Sequence, residues 1–107
     1  MNKPDKRAQV ISALLRGKEQ KKDYLLHVPK IKAGTTCGTV AVIFKDDKFL
    51  ISIQEIEYPG ETAFLERGWD VDELHTAASL GAVEELLKFR LNIGLEELGP
   101  AKGSRRF

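Results

Sequence analysis

The single cysteine of this 107-residue chain, Cys37, is the first candidate for chemistry. A nucleophilic thiol needs a neighbouring base and a lowered pKa. The chain has two histidines, His27 and His75, and neither lies at a spacing from Cys37 that is typical of a thiol enzyme. The sequence therefore favours a structural thiol. Because an unpaired cysteine is typical of a reducing compartment, we expect a cytoplasmic protein.

Four ionisable residues close together in sequence could ligate a metal: Asp70, Asp72, Glu73 and His75. Their spacing does not match the His-Glu-x-x-His pattern of a zinc protease helix. Carboxylates at this position also suit the positive end of a helix dipole. We therefore predict no metal site here.

A second acidic group surrounds the predicted turn at residues 58–61. It could supply paired carboxylates for acid–base catalysis, and it consists of Glu55, Glu57, Glu61 and Glu66. Charges at strand edges and turns also prevent aggregation, which is the commoner use. No glycine-rich phosphate-binding motif is present. We predict a non-enzymatic protein without a cofactor, with a small thiol- or metal-dependent enzyme as the minor alternative.

Charge is distributed unevenly along the chain. Residues 1–33 carry nine basic and three acidic side chains, whereas residues 34–83 carry three basic and nine acidic ones. The basic first third is either a solvated surface or a contact for nucleic acid. The residues that would make that contact are Lys18, Lys21, Lys22, Lys30, Lys32, Arg105 and Arg106.

The spacing of apolar residues predicts a first helix over residues 3–16, capped by Asn2 and ended by Gly17. Residues 39–44 and 49–56 are rich in β-branched and aromatic side chains and predict a hairpin with Phe44 opposite Phe49. A third strand is expected at residues 62–67. Residues 24–28 are a candidate for a fourth strand, at the edge of the sheet.

The last element is predicted as a long helix from Asp70 to about residue 91, with Glu73 completing a capping box. Its helical wheel shows two apolar stripes, but a helix that lies on a sheet needs only one. We expect the second stripe to form a homodimer interface; the alternative is coverage by the first helix. The stripe consists of Ala77, Leu80, Val83, Leu87 and Leu91.

These elements predict an α+β fold: a helix, a three-stranded antiparallel meander and a long C-terminal helix, with both helices on one face of the sheet. Residues 1–99 form one domain, and residues 100–107 form a mobile basic tail. The longest apolar run, residues 40–44, is far shorter than the ~20 residues that span a membrane, so no membrane contact is expected.

The order of elements resembles that of the double-stranded-RNA-binding fold. That resemblance would suit nucleic-acid binding, which is the alternative function. Residues 70–76, where that fold carries lysines that contact phosphates, are acidic here. We therefore predict a small interaction protein that works as a homodimer and binds an unidentified protein through its surface.

Overall fold

The structure is a computed structural model that describes residues 5–24, 36–57, 70–101 and 107. In chain order the elements are α1 (Lys6–Leu15), β1 (Gln20–Tyr24), β2 (Thr36–Lys45), β3 (Lys48–Glu57), β4 (Val71–Ala77), α2 (Leu80–Leu91), a 3-10 turn (Leu95–Glu97) and β5 (Gly99–Pro100). The strands form one antiparallel five-stranded sheet in the order β4-β3-β2-β1-β5. The predicted α+β class is confirmed.

Strands β2 and β3 form the central hairpin. Their residues pair one to one from Thr36 and Glu57 to the hairpin end, and Phe44 lies opposite Phe49 as predicted. The connecting residues Asp46 and Asp47 have φ angles of 54° and 65°. A two-residue turn of type I′ requires positive φ at both positions, because its twist then matches that of the strands.

Both helices pack on one face of the sheet, here called the helix face, and this prediction is confirmed. Val10 and Leu14 of α1 and Val83 and Leu87 of α2 belong to one buried cluster. The same cluster includes side chains from the hairpin and from the turn before β5: Val40, Val42, Phe49, Ile51, Ile53, Leu95 and Leu98. The opposite face of the sheet is called the outer face.

Helix α1 begins at Lys6 and is capped by Asp5, whose side chain accepts a hydrogen bond from the Ala8 N–H. Asn2, the predicted cap, lies outside the described residues. The helix ends at Leu15 with Arg16 as its C-cap, and Gly17, the predicted stop, follows with a φ of +80°. The Gly17 and Lys18 N–H groups donate to carbonyls of the last turn, at 2.8 and 3.0 Å. These two bonds form a Schellman motif.

The long helix predicted from Asp70 is wrong over nearly its first half. Residues Val71–Ala77 form strand β4, and α2 begins only at Leu80. Ser79 caps α2 by accepting from the Ala82 N–H, whereas Asp70 accepts from the Glu57 N–H at 2.7 Å. Pairing with β3 provides hydrogen-bond partners for the backbone N–H and C=O groups of this segment. These contacts between strands override the helical spacing of its apolar residues.

The margins of the sheet also differ from prediction. Strand β1 lies between β2 and β5 and not at an edge, because Gln20 pairs with both Val42 and Pro100. Strand β5 spans Gly99–Pro100, and Ala101 after it is buried. The predicted division of the chain after residue 99 stays a prediction. Residues 62–67, the predicted third strand, and residues 102–106 of the predicted tail lie outside the described residues.

Strand β4 precedes α2, and β5 follows it, so the element order is not that of the double-stranded-RNA-binding fold. None of the described helices has the length and apolar character needed to cross a membrane.

Candidate interaction site at the β4 edge

The side chains predicted to form a dimer interface divide between two locations. Val83 and Leu87 are 0% exposed within a single subunit, so they belong to its core and not to a surface between two copies. Ala77 lies on β4, while Leu80 and Leu91 lie on α2, and all three are partly buried against the same core. Because four of these five residues lie on α2, the predicted stripe is the side of that helix that packs on the core. Self-association itself stays a prediction.

The lysines predicted to contact nucleic acid do not form one described patch. Adjacent residues of a strand point to opposite faces, so Lys21 lies on the outer face and Lys22 on the helix face. Lys21 pairs with Asp23 and Lys22 with Glu97, each at 3.6 Å. Lys18 is exposed in the loop after α1. The remaining four predicted contacts lie outside the described ranges: Lys30, Lys32, Arg105 and Arg106.

Cys37 is completely buried in β2, and burial raises the pKa of its thiol. A thiol of this kind is protonated at neutral pH and reacts slowly. Its surroundings therefore match the structural use predicted for it. Within the described ranges, no three histidine, cysteine or acidic side chains converge in a way that could hold a metal ion.

The largest polar cluster on the helix face is centred on Arg90 of α2. Its guanidinium donates to both Glu73 oxygens, from Nη2 at 2.7 Å and from Nε at 3.2 Å, and Nη1 lies 3.4 Å from a Glu55 oxygen. Glu73 also contacts Nε2 of His75 at 2.7 Å. The Arg90 and His75 hydrogen bonds lower the pKa of Glu73 to about 2. Arg90 therefore fastens β4 and β3 to α2 through bidentate, charge-assisted bonds.

Tyr24 approaches this cluster from β1, across the central strand. Tyr24, Gly38 and Glu55 lie side by side on β1, β2 and β3. The Tyr24 hydroxyl is enclosed, and no described residue gives it a hydrogen bond of ordinary geometry. Burial and the nearby Glu55 charge raise the pKa of Tyr24. Gly38 makes this approach feasible, since a Cβ there would lie 2.4 Å from the Tyr24 ring.

Strand β4 forms an edge of the sheet. It pairs with β3 on one side, and no described strand pairs with its other side. Asp72, Leu74 and Thr76 project from it on the outer face, and Leu74 is 60% exposed. Glu73 and His75 occupy the helix face. An edge strand presents unpaired peptide N–H and C=O groups to its surroundings, which makes β4 a template for a further strand.

One side of α2 overlooks this edge. Leu86 lies four residues before Arg90 and three before Phe89, so these side chains share one side of the helix. Because Arg90 reaches Glu73 on β4, this is the side towards the open edge. Phe89 is 91% exposed, the most exposed large apolar side chain in the described part of the chain. The candidate site therefore combines a free strand edge with an exposed aromatic ring.

The sequence analysis did not select Leu74, His75 or Phe89 as site residues. The sequence contained one indication of this site: in residues 72–76, Glu73 and His75 lie on either side of Leu74. This arrangement is self-complementary only if the segment is a strand, whereas the segment was predicted to be helical. Comparisons of the chain with protein-family models, curated proteins and solved structures found no match.

Proposed function

We propose that the protein is a non-enzymatic interaction protein whose working unit is a homodimer, formed by antiparallel pairing of the β4 strands of two copies. The observation that carries the proposal is the edge of β4 with which no described strand pairs. The sequence of β4 is complementary to itself when one copy is inverted. Two five-stranded sheets would then join into one, and the outward peptide groups of β4 would be satisfied.

The side chains of β4 favour one register. When the two-fold axis passes through Leu74, Glu73 of each copy lies opposite His75 of the second copy, and Leu74 lies opposite itself. A register shifted so that Glu73 is central would place two carboxylates face to face. The Leu74-centred register also keeps the helices of both copies on the same side of the joined sheet, because it pairs helix-face residues with helix-face residues.

The helix side of the joined sheet would bring the two α2 helices towards each other. Leu86 and Phe89 face the β4 edge, so each copy would present them to the second α2. Phe89 would gain the apolar contacts that it lacks in the single subunit, where it is 91% exposed. Aromatic side chains are enriched at interfaces for this reason.

The non-enzymatic part of the proposal is supported by how the reactive groups are used. Arg90 is occupied by two carboxylates, and Glu73 by Arg90 and His75. Cys37 is buried with a raised pKa. We also propose a cytoplasmic location, which the presence of only one cysteine in the sequence supports.

Binding of a further protein, and of nucleic acid through the basic first third, stay predictions from sequence. The Lys21 and Lys22 ion pairs weaken the case for nucleic acid, because two of the predicted contacts already face carboxylates.

The test is the mass of the full chain in solution, measured by light scattering and sedimentation at micromolar concentration. We expect a mass near twice 12.0 kDa. Leu74→Glu places two carboxylates on the two-fold axis and should raise the dissociation constant about a hundredfold or more, since like charges in contact at an interface cost several kcal/mol. Phe89→Ser should weaken the dimer less.

The matched control is Leu15→Glu, because Leu15 on α1 is 55% exposed and Leu74 is 60% exposed. This variant should retain the dimer, and circular dichroism should show both variants folded. A monomeric wild-type chain, or equal dissociation by Leu74→Glu and Leu15→Glu, would overturn the proposal.

A further inference from the structure

A cavity of about 770 Å³ lies at the opposite margin of the molecule from β4, between α1 and the β1–β5 side of the sheet. Its walls come from α1, from the loop that leads into β1, and from residues at and beyond β5. The volume lies within the ~300–1,000 Å³ typical of small-molecule sites. It shares no residue with the proposed dimer site.

The charged groups around this cavity are mainly cationic. Lys6 and Arg16 extend from the two ends of α1, and Lys18 from the following loop. All three are exposed, and none forms an ion pair with a described residue. This differs from Arg7 on the same helix, which pairs with Glu84 of α2. The cations at the cavity therefore retain the capacity to bind an anion.

The one acidic side chain in the cavity wall is already engaged. Glu19 is 6% exposed and accepts a hydrogen bond from the Phe107 N–H at 2.7 Å. The neighbouring Gln20 amide donates to the Glu19 carbonyl at 2.9 Å. Glu19 therefore already has a hydrogen-bond partner, and the three cations outnumber this one carboxylate in the cavity wall.

The remaining wall mixes polar and apolar residues. Gln9 and Gln20 are polar, while the apolar part comes from Ile43, from the partly exposed Phe107 and from the edges of the buried side chains Val10, Ala13 and Ala101. A site with cations at its opening and an apolar portion in its wall matches a ligand with an anionic head and an apolar body. A free inorganic anion would leave the apolar portion without a contact, and a neutral hydrocarbon would leave the cations without one.

From this arrangement we infer that the cavity is a binding site for a small amphipathic anion, with its charged head at Arg16, Lys18 and Lys6 and its apolar body against α1 and Phe107. The site is independent of the dimer, since it uses the other margin of the sheet.

The experiment is a titration of the ¹⁵N-labelled full chain with octanoate, acetate and 1-octanol, followed by two-dimensional NMR. Octanoate should shift the amides of Gln9, Ala13, Gln20 and Ala101, and it should bind at least about tenfold more tightly than acetate or 1-octanol. The double variant Arg16→Glu with Lys18→Glu should weaken octanoate binding about tenfold or more.

The matched control is Lys88→Glu, which removes an exposed cation of α2 and should leave octanoate affinity unchanged. The neutral pair Arg16→Gln with Lys18→Gln tests the same cations with less disturbance of the fold and should give an intermediate loss. The inference fails if octanoate produces no shifts at these amides, if 1-octanol binds as tightly, or if neither double variant alters its affinity.

Discussion

Strands β4 and β5 lie at opposite edges of the same sheet, but they differ in how they limit the addition of further strands. Strand β5 has two residues, one of which is Pro100, and it pairs only with Gln20 and Lys21. Strand β4 has seven residues and contains no proline. Short length and proline are two of the means by which proteins prevent strands from adding to an edge, and β5 uses both.

Strand β4 has neither feature, and its charged side chains are what opposes the addition of a further strand. Whether they repel that strand depends on the charges that the strand itself carries. Asp72 and Glu73 repel an acidic or parallel strand, but the inverted copy of β4 offers His75 opposite Glu73. If β4 pairs with its inverted copy as proposed, one sheet would exclude further strands at the β5 edge and select a particular strand at the β4 edge. Three substitutions test this difference, in order of decreasing effect.

Gly38→Ala should destabilise the sheet on both sides of β2, so that the β4 and β5 edges are affected alike. Gly38 lies between Tyr24 and Glu55, and an added Cβ would lie 2.4 Å from the Tyr24 ring and 2.7 Å from the Gln54 carbonyl. Overpacking of this kind lowers the free energy of unfolding by ~1–3 kcal/mol, measured by urea denaturation. Hydrogen exchange should accelerate in β1 and β3 alike.

The control for this prediction is Gly81→Ala on α2, where the nearest atom to an added Cβ is 3.9 Å away. Alanine in an open helical position should stabilise the protein by up to about 1 kcal/mol. Equal stability of Gly38→Ala and wild type would show that Tyr24 does not need the space above Gly38.

Arg90→Ala should destabilise the β4 edge of the sheet more than the β5 edge, because the ion pairs of Arg90 are with Glu73 of β4 and Glu55 of β3. The substitution leaves Glu73 and Glu55 without their shared cation. The loss should be about 1–2 kcal/mol, between the values for exposed and for buried ion pairs, since Arg90 is 30% exposed. Hydrogen exchange should accelerate in β4 and remain unchanged at the β1–β5 pairing.

Arg90→Lys keeps the charge but not the bidentate geometry, so it should restore part of the lost stability. Equal acceleration at both edges in Arg90→Ala would contradict the view that this arginine fastens β3 and β4 to α2 and leaves the β1–β5 margin unaffected.

The smallest effect is on pH dependence. The pKa of Glu73 is about 2 in the folded chain, against an ordinary value of 4.5. Because the folded pKa is the lower one, the contribution of Glu73 to stability is present above pH 4.5 and is lost as the pH falls towards 2. Solvent screens part of it, since the Glu73 side chain is 32% exposed.

Glu73→Gln should therefore flatten the acid limb of the stability curve, measured by urea denaturation from neutral to acid pH. Glu84→Gln, which changes a carboxylate of α2 that pairs with Arg7, should leave that limb in place. The same slope in both variants would contradict the assignment to Glu73.

Local patterns predicted the parts of the fold that depend on local contacts. Alternating β-branched and aromatic residues identified the β2–β3 hairpin and its Phe44–Phe49 register, and Gly17 marked the end of α1. Strand β1 was not predicted at Gln20–Tyr24, because this segment carries no apolar alternation and is held by pairing with β2 and β5. Residues 25–28 of the predicted edge strand lie outside the described residues. The conformation of such a segment is determined by its contacts with neighbouring strands.

The error at residues 70–79 had the same origin and affected the site. Apolar residues of β4 continue the three- and four-residue spacing of α2, so the predicted helix ran through the strand and included Leu74. Four of the five residues of the predicted interface stripe lie on α2 itself, where Val83 and Leu87 are buried in the core. A glycine within a predicted strand, Gly38, was the available sign of a close approach such as that of Tyr24. It did not reveal which residue approaches.

The burial of Leu95 and Leu98 has a consequence for biosynthesis. Each is 1% exposed, and both share one cluster with Val10 and Leu14 from the opposite end of the sequence. During translation, α1 therefore emerges long before the residues that complete its environment, and its apolar side must wait uncovered while the intervening strands are made. A nascent chain halted before residue 95 should be a substrate for chaperones, whereas one extended past Pro100 can close both the core and the β1 margin in a single step.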